Sequence, residues 1–245
     1  MIYTSIRYAG FLLAMAICAN AQAGIVLNTT RIIYPAQDKE VSFGVQNSGG
    51  EILLQSWLEA TAEETGDLPF IITPALARMP GGSKQLLRIV YAGADMPEDR
   101  ESVFWLNVQE IPQVAAENAL QIAIRQRIKV FFRPVGLRDA PEKAPETLQW
   151  QLRNDVLHVN NPSSYHVSMV RLEVHDGTVQ VIKKGSHMLA PKQSLELKLG
   201  RPASSRPLSL TFNSINDFGG QVAYLATLTG NQMVTATVAA KTDRR

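Results

Sequence analysis

Apolar residues recur at every second position in short runs: Val41, Phe43 and Val45; Leu195, Leu197 and Leu199; Leu208, Leu210 and Phe212, each with smaller or polar residues between. That period puts successive side chains on opposite faces of an extended chain, so the runs predict half-buried β-strands. Helical periodicity is nearly absent. Turn clusters separate the runs at Asn47-Ser48-Gly49-Gly50, Thr65-Gly66-Asp67, Pro80-Gly81-Gly82-Ser83, Asp176-Gly177 and Phe218-Gly219-Gly220. Short strands in that rhythm predict sandwiches or barrels.

The clearest break is Arg138-Asp139-Ala140-Pro141-Glu142-Lys143-Ala144-Pro145, a polar stretch whose two prolines cannot extend a central strand. It divides the chain into halves with the size and strand density of immunoglobulin-like sandwiches. The expected fold is therefore all-β: two immunoglobulin-like domains, residues 24–143 and 144–245, with a cleft between them. Trp57 and Trp150 are candidate core tryptophans of the two halves.

Residues 118–134 contain more apolar surface than one strand needs. Leu120, Ile122, Ile124, Ile128, Val130 and Phe132 share one parity, interrupted only by Gln126, while Arg125, Arg127, Lys129 and Arg133 occupy the other. At about 3.3 Å per residue, residues 120–132 would span about 43 Å, roughly twice an ordinary strand. The first half, 120–124, reads as an exposed β-edge bearing three large apolar side chains, which a partner strand would cover. From the pattern alone, the simpler reading is a long core strand buried within its own domain.

The first 23 residues match a secretory leader: Arg7, an apolar run over residues 9–17, then Ala21-Gln22-Ala23 as a cleavage site. The run is too short to span a membrane, and no later segment approaches the roughly 20 apolar residues required. Cleavage would leave a soluble chain starting at Gly24. The single cysteine, Cys18, falls inside the leader and is a poor match to a lipid-attachment signal, so disulfides cannot stabilise the mature chain. Lys and Arg total 24 against 22 Asp and Glu, and cleavage removes only Arg7. Near-neutrality gives no global attraction to nucleic acid, so any charge recognition must be local.

Several stretches together resemble one family. They are Thr30-Arg31 before Ile32-Ile33-Tyr34; Asp99-Arg100-Glu101-Ser102 before Phe104-Trp105-Leu106-Asn107; Glu110-Ile111-Pro112; Leu120-Gln121-Ile122-Ala123-Ile124; residues 127–134; Asn161-Pro162-Ser163; and Ile215-Asn216-Asp217-Phe218-Gly219-Gly220. In this order and combination they resemble the PapD-like periplasmic pilus chaperones, across essentially the whole mature chain. The resemblance implies donor-strand complementation, in which a chaperone lends a strand to an incomplete pilus subunit.

By that resemblance, Arg31 and Lys129 anchor the C-terminal carboxylate of a pilin, a task suited to charge-assisted donors. Leu120, Ile122 and Ile124 are the donor residues that fill the subunit's open groove. Glu101, Arg133 and Asp217 form an ionic network that fixes the angle between the domains. The implied partners are pilins and an outer-membrane usher, in the periplasm, with no cofactor, metal or nucleic acid; an open donor edge also permits self-association. The short connection 113–117 looks like the short-loop subfamily associated with rod-like pili. Without the resemblance, all these charges read as solvated surface residues contributing about 0–1 kcal/mol per pair.

Catalytic patterns are absent from the sequence. His158, His166, His175 and His187 have no metal-ligand spacing and read as surface or loop residues. No G-x-S-x-G, G-x-x-x-x-G-K-[ST] or G-x-G-x-x-G motif is present, and aromatic residues do not interleave with the basic strand as a single-stranded nucleic-acid platform requires. The chain is not expected to be an enzyme. The rival readings are a secreted adhesive immunoglobulin-like protein, which would be a single incomplete domain or carry an N-terminal donor extension, and a secreted hydrolase, which lacks its residues.

Overall fold

A computed structural model describes residues 24–61, 68–93, 96–113, 117, 121–137, 140–204 and 206–240; the leader and Leu120 lie outside them. Strands β1 (Ile25–Leu27), β2 (Arg31–Pro35), β3 (Glu40–Asn47), β4 (Ile52–Ala60), β5 (Phe70–Thr73), β6 (Leu76–Met79), β7 (Lys84–Tyr91), β8 (Ser102–Pro112) and β9 (Arg125–Arg133) build the first domain. They form two sheets, ordered β1-β3-β7-β5 and β2-β9-β8-β4-β6. A 3-10 turn (Pro141–Lys143) and a four-residue helix α1 (Ala144–Thr147) lead into the second domain. There β10 (Gln149–Arg153), β11 (Val156–Asn160), β12 (Val167–Asp176), β13 (Val179–Leu189), β14 (Ser194–Lys198), β15 (Leu208–Ile215), β16 (Gln221–Leu228), β17 (Val234–Thr235) and β18 (Thr237–Val238) form sheets β14-β11-β10-β17 and β13-β12-β15-β16-β18.

Alternation produces both cores. In the first, Phe43 and Val45, Leu87 and Ile89, Phe104, Leu106 and Val108, and Val130 and Phe132 turn inward from four strands. Phe70 packs among Tyr34, Tyr91, Phe104 and Phe132 with ring centroids 5.0 to 5.7 Å away. Buried Tyr34 satisfies its hydroxyl by donating to the Lys39 carbonyl at 3.1 Å and accepting from the Tyr91 amide at 3.0 Å. Trp150, Phe212 and Tyr224 stack through the second core. The polar stretch between the domains is not a plain linker: Ala144 and Leu148 are already buried in that core. Its prolines sit in first helical turns, where a missing N–H is harmless.

Two sequence expectations change. Trp57 is not a core residue: it lies on the outer face of β4, half-buried, and its Nε1 donates to Glu59 Oε1 at 2.8 Å. The long strand is also shorter than expected, since β9 starts at Arg125 and residues 121–124 have no regular strand structure. Strand β8 supplies the reason. Its Glu110 amide still donates to the Ile124 carbonyl at 3.1 Å, but the Ile124 amide donates to the Glu110 side chain rather than to β8 backbone. Beyond it β8 ends at Pro112, which has no amide to offer. The ladder stops, leaving Ile122 and Ile124 exposed at 68% and 41%.

Trp150→Ala should cost about 3–5 kcal/mol of stability in urea unfolding, as for deletion of a large core aromatic. Trp57→Ala should cost about 1 kcal/mol or less, because little buried volume is lost. Equal costs would contradict the inward placement of only one of them.

Candidate functional site: the cleft between the two domains

Strand β9 gathers the charged residues. It takes part in the one parallel pair among the described pairings: β2 runs beside it with Arg31 opposite Lys129 and Pro35 opposite Arg133. The other side of β9 pairs with β8, placing Trp105 opposite Lys129. Two residues 98 apart in sequence, Arg31 and Lys129, are thereby neighbours at the start of β2.

Arg31 reaches across the cleft. Its Nη1 donates to the Ile215 carbonyl of the second domain at 3.0 Å, and the guanidinium lies 5.5 Å from the centroid of Phe131. Its Nε is buried without a hydrogen-bond acceptor among the described residues. Burial lowers the Arg31 pKa below its ordinary value; Asp217 and Glu101 oppose that shift by charge, and Arg133 adds to it. The side chain remains a cation with an unused donor in a partly dry setting, where a carboxylate is the matching acceptor. Lys129 lies with Nζ 5.1 Å from the Trp105 ring centroid, and Arg127 stacks on the same ring at 4.4 Å. Arg127 also pairs with Glu59 at 2.9 Å. The ring shared by these two cations is thus supplied by β8.

At the far end of β9, Arg133 joins the domains. Its Nε donates to Glu101 Oε2 at 2.7 Å in the first domain, and its two terminal nitrogens donate to Asp217 at 2.6 and 2.8 Å in the second. Burial alone would lower the Arg133 pKa, but the hydrogen bonds and charges of Asp217 and Glu101 outweigh it, and the net shift is upward. Glu101 has further ties to the second domain. Its Oε1 accepts from the His166 backbone amide at 3.0 Å and meets His166 Nδ1 at 2.9 Å, while its own amide donates to the Ser164 carbonyl at 2.9 Å.

The sequence placed His166 on the surface or in a loop; it lies in the loop before β12, yet its side chain is 2% exposed, closed in by Glu101 and by Phe131, whose ring centroid is 5.9 Å away. No local pattern marks it, because its partners are 65 and 35 residues distant. Phe131 did carry a signal. It sits in the basic parity of β9 yet is 3% exposed, so consecutive Phe131 and Phe132 mean that both faces of the strand are covered there.

Arg31, Phe131, Arg133 and His166 line a cavity of about 410 Å³ with residues 214–218 of the second domain. Ile122 and Ile124 stand exposed upstream on the same chain; Leu120 lies outside the described residues. Among the described residues, no group of three or more His, Cys, Asp or Glu could hold a metal, and no helix is long and apolar enough to cross a membrane.

Two family models match this arrangement in order: the pili and flagellar-assembly chaperone PapD N-terminal domain over residues 24–138, and the pili assembly chaperone PapD C-terminal domain over residues 143–226. The chain belongs to the PapD family. It is 37% identical over 216 residues to the probable fimbrial chaperone SfmC of Escherichia coli K12, covering 85% of this chain and 90% of that protein. Among solved structures, the Pseudomonas aeruginosa CupB2 chaperone superposes with a TM-score of 0.67 at 33% identity, covering 83% of this chain and all of the other. A Salmonella enterica structure of SafA pilin with the SafB chaperone gives 0.69 at 26% identity, covering 90% and 99%. Membership in the PapD family fits the two all-β domains meeting at β9.

Arg133→Ala would leave Glu101 buried against His166 without its cation. The expected loss is about 3–5 kcal/mol in urea unfolding. Asp217→Asn should cost only about 1 kcal/mol, since that carboxylate is one-third exposed. A similar small loss for both variants would show that Glu101 does not need Arg133.

Proposed function

We propose that this protein is a periplasmic chaperone that captures pilus subunits by strand donation and delivers them to an outer-membrane usher. The observation that carries the reading is the junction at Arg31. Strand β2 covers one edge of β9 only from Lys129 onward, so the same edge over 125–128 has no strand partner among the described residues. A subunit's last strand would continue the line of β2 upstream, parallel to β9, and end where β2 begins. Its terminal carboxylate would then meet the Arg31 guanidinium, with Lys129 alongside.

This geometry separates two contributions. Backbone hydrogen bonds along β9 supply affinity that tolerates many sequences, while a carboxylate held at one point sets the register. From Lys129 back to Ile124 is five residues, about 16 Å of extended chain. Ile122 and Ile124, with Leu120 beyond them, would fill the open groove of the subunit at every second position. The exposed apolar edge, a liability in a free protein, would be covered in the complex. Donation needs no bond-breaking chemistry, consistent with a role other than catalysis, and the leader directs the chain to the periplasm. The SafB chaperone, seen with SafA pilin, is a relative with that kind of partner.

Co-purification with a tagged pilin from the same cell tests the reading. Arg31→Ala and Lys129→Ala should each reduce capture at least tenfold with circular dichroism and melting temperature unchanged, the loss typical of removing one partner of a desolvated charge pair. A complex of undiminished yield in either variant would remove that residue from the site.

A further inference from the structure

The cavity beside Arg31 has walls of different character. The first domain contributes Arg31 and Phe131; the second contributes Pro145, Phe218, Val222 and Tyr224. Arg133 adds a second cation, already tied to Asp217, and Ser214, Asn216 and Asp217 put polar atoms beside the apolar patch; a space of about 410 Å³ of this mixed character suits a bulky side chain attached to a carboxylate, and is far too small for a folded domain.

Phe218 is the telling residue, because it is 96% exposed on a turn that is firmly held. The Asn216 side-chain oxygen accepts from the amides of Phe218 at 3.1 Å and Gly220 at 2.9 Å, the Gly219 amide donates to the Asn216 carbonyl at 3.0 Å, and the Asn216 amide donates to the Gly220 carbonyl at 2.8 Å. Gly219 has φ +81°, and a side chain there would collide with the Thr30 hydroxyl. The turn therefore packs closely on the segment that introduces Arg31. Its preceding residue, Asp217, is tied to Arg133. An aromatic ring is thus fixed in the open at the mouth of a cavity that Arg31 also lines.

We propose that this cavity is a side-chain pocket that reads the end of the captured subunit, with Phe218 as its specificity-determining wall. The proposal rests on the carboxylate reading above. Consecutive Cα atoms are about 3.8 Å apart, so a chain held at Arg31 by its carboxylate brings only its last residue or two within reach of the second domain. A large aromatic or branched side chain at one of these positions covers Phe218 and Val222; a small one leaves them wet. The pocket thereby favours subunits with bulky apolar ends, a selection that backbone pairing along β9 cannot make.

Short synthetic peptides carrying a subunit's last strand, made as free acids and as amides, test this by titration against the mature protein. The set has Phe at the last position, Phe at the preceding position, or Ala at both. One of the Phe peptides should bind wild type at least about tenfold more tightly than the Ala peptide, and Phe218→Ala should abolish that preference while keeping the preference for acid over amide. Arg31→Ala should do the reverse. A Phe preference that survives Phe218→Ala, or none in wild type, overturns the pocket and leaves the carboxylate reading intact. Equal binding of acid and amide, or no binding of either, overturns the carboxylate reading and the pocket with it.

Discussion

Arg133 stands at the end of β9 with one carboxylate from each domain on its guanidinium, and the geometry of the cleft follows from that arrangement. Three of its donors are engaged at 2.6 to 2.8 Å. A buried charge assembly of this kind stabilises little on balance, because desolvation consumes most of the attraction. Its value lies in what it forbids: any rotation of one domain against the other would part Arg133 from Asp217 and take the His166 amide and ring away from Glu101, which is 1% exposed. Fixed in this way, the second domain presents the Ile215 carbonyl to Arg31, whose Nε stays buried without an acceptor among the described residues.

The same strand joins stability to function along its length. Val130 to Phe132 are buried, covering both faces of the strand, and Arg133 after them ties the two domains together. Lys129 and Arg127 lie on Trp105 at the margin. Before Arg125, regular pairing gives way, because Glu110 answers the Ile124 amide with a side chain and Pro112 has no amide at all. The exposed isoleucines are therefore a consequence of how β8 ends. An edge that its own domain cannot complete is the requirement for completing another protein's sheet.

Much of this was readable in the sequence, and the rest fails for identifiable reasons. Strict alternation in Phe43 and Val45 or Leu208, Leu210 and Phe212 specified strands and their inner faces. It could not tell which face of β4 met the core, so Trp57 and Trp150 looked alike until register separated them. The length of β9 was overstated because apolar parity continues past the point where its neighbour stops, and that limit is set by residues on β8. The burial of His166 was missed since Glu101 and Phe131, which help enclose it, are distant in sequence. Arg31, Lys129 and the ionic triad came from family resemblance; spacing alone offers no reason to pair positions so far apart, whereas the parallel register of β2 and β9 makes them adjacent.

The central claim is that residues 121–124 become a paired strand, and that the open edge of 125–128 gains a neighbour, only when a subunit is present. Amide hydrogen exchange of these residues, measured in the free protein and in its purified complex with a pilin, tests it most directly. The account predicts fast exchange over 121–124 in the free protein and strong protection in the complex, extending without a gap to Lys129. Unchanged exchange there, in a complex that remains bound throughout, would contradict strand donation and place the subunit elsewhere on the protein.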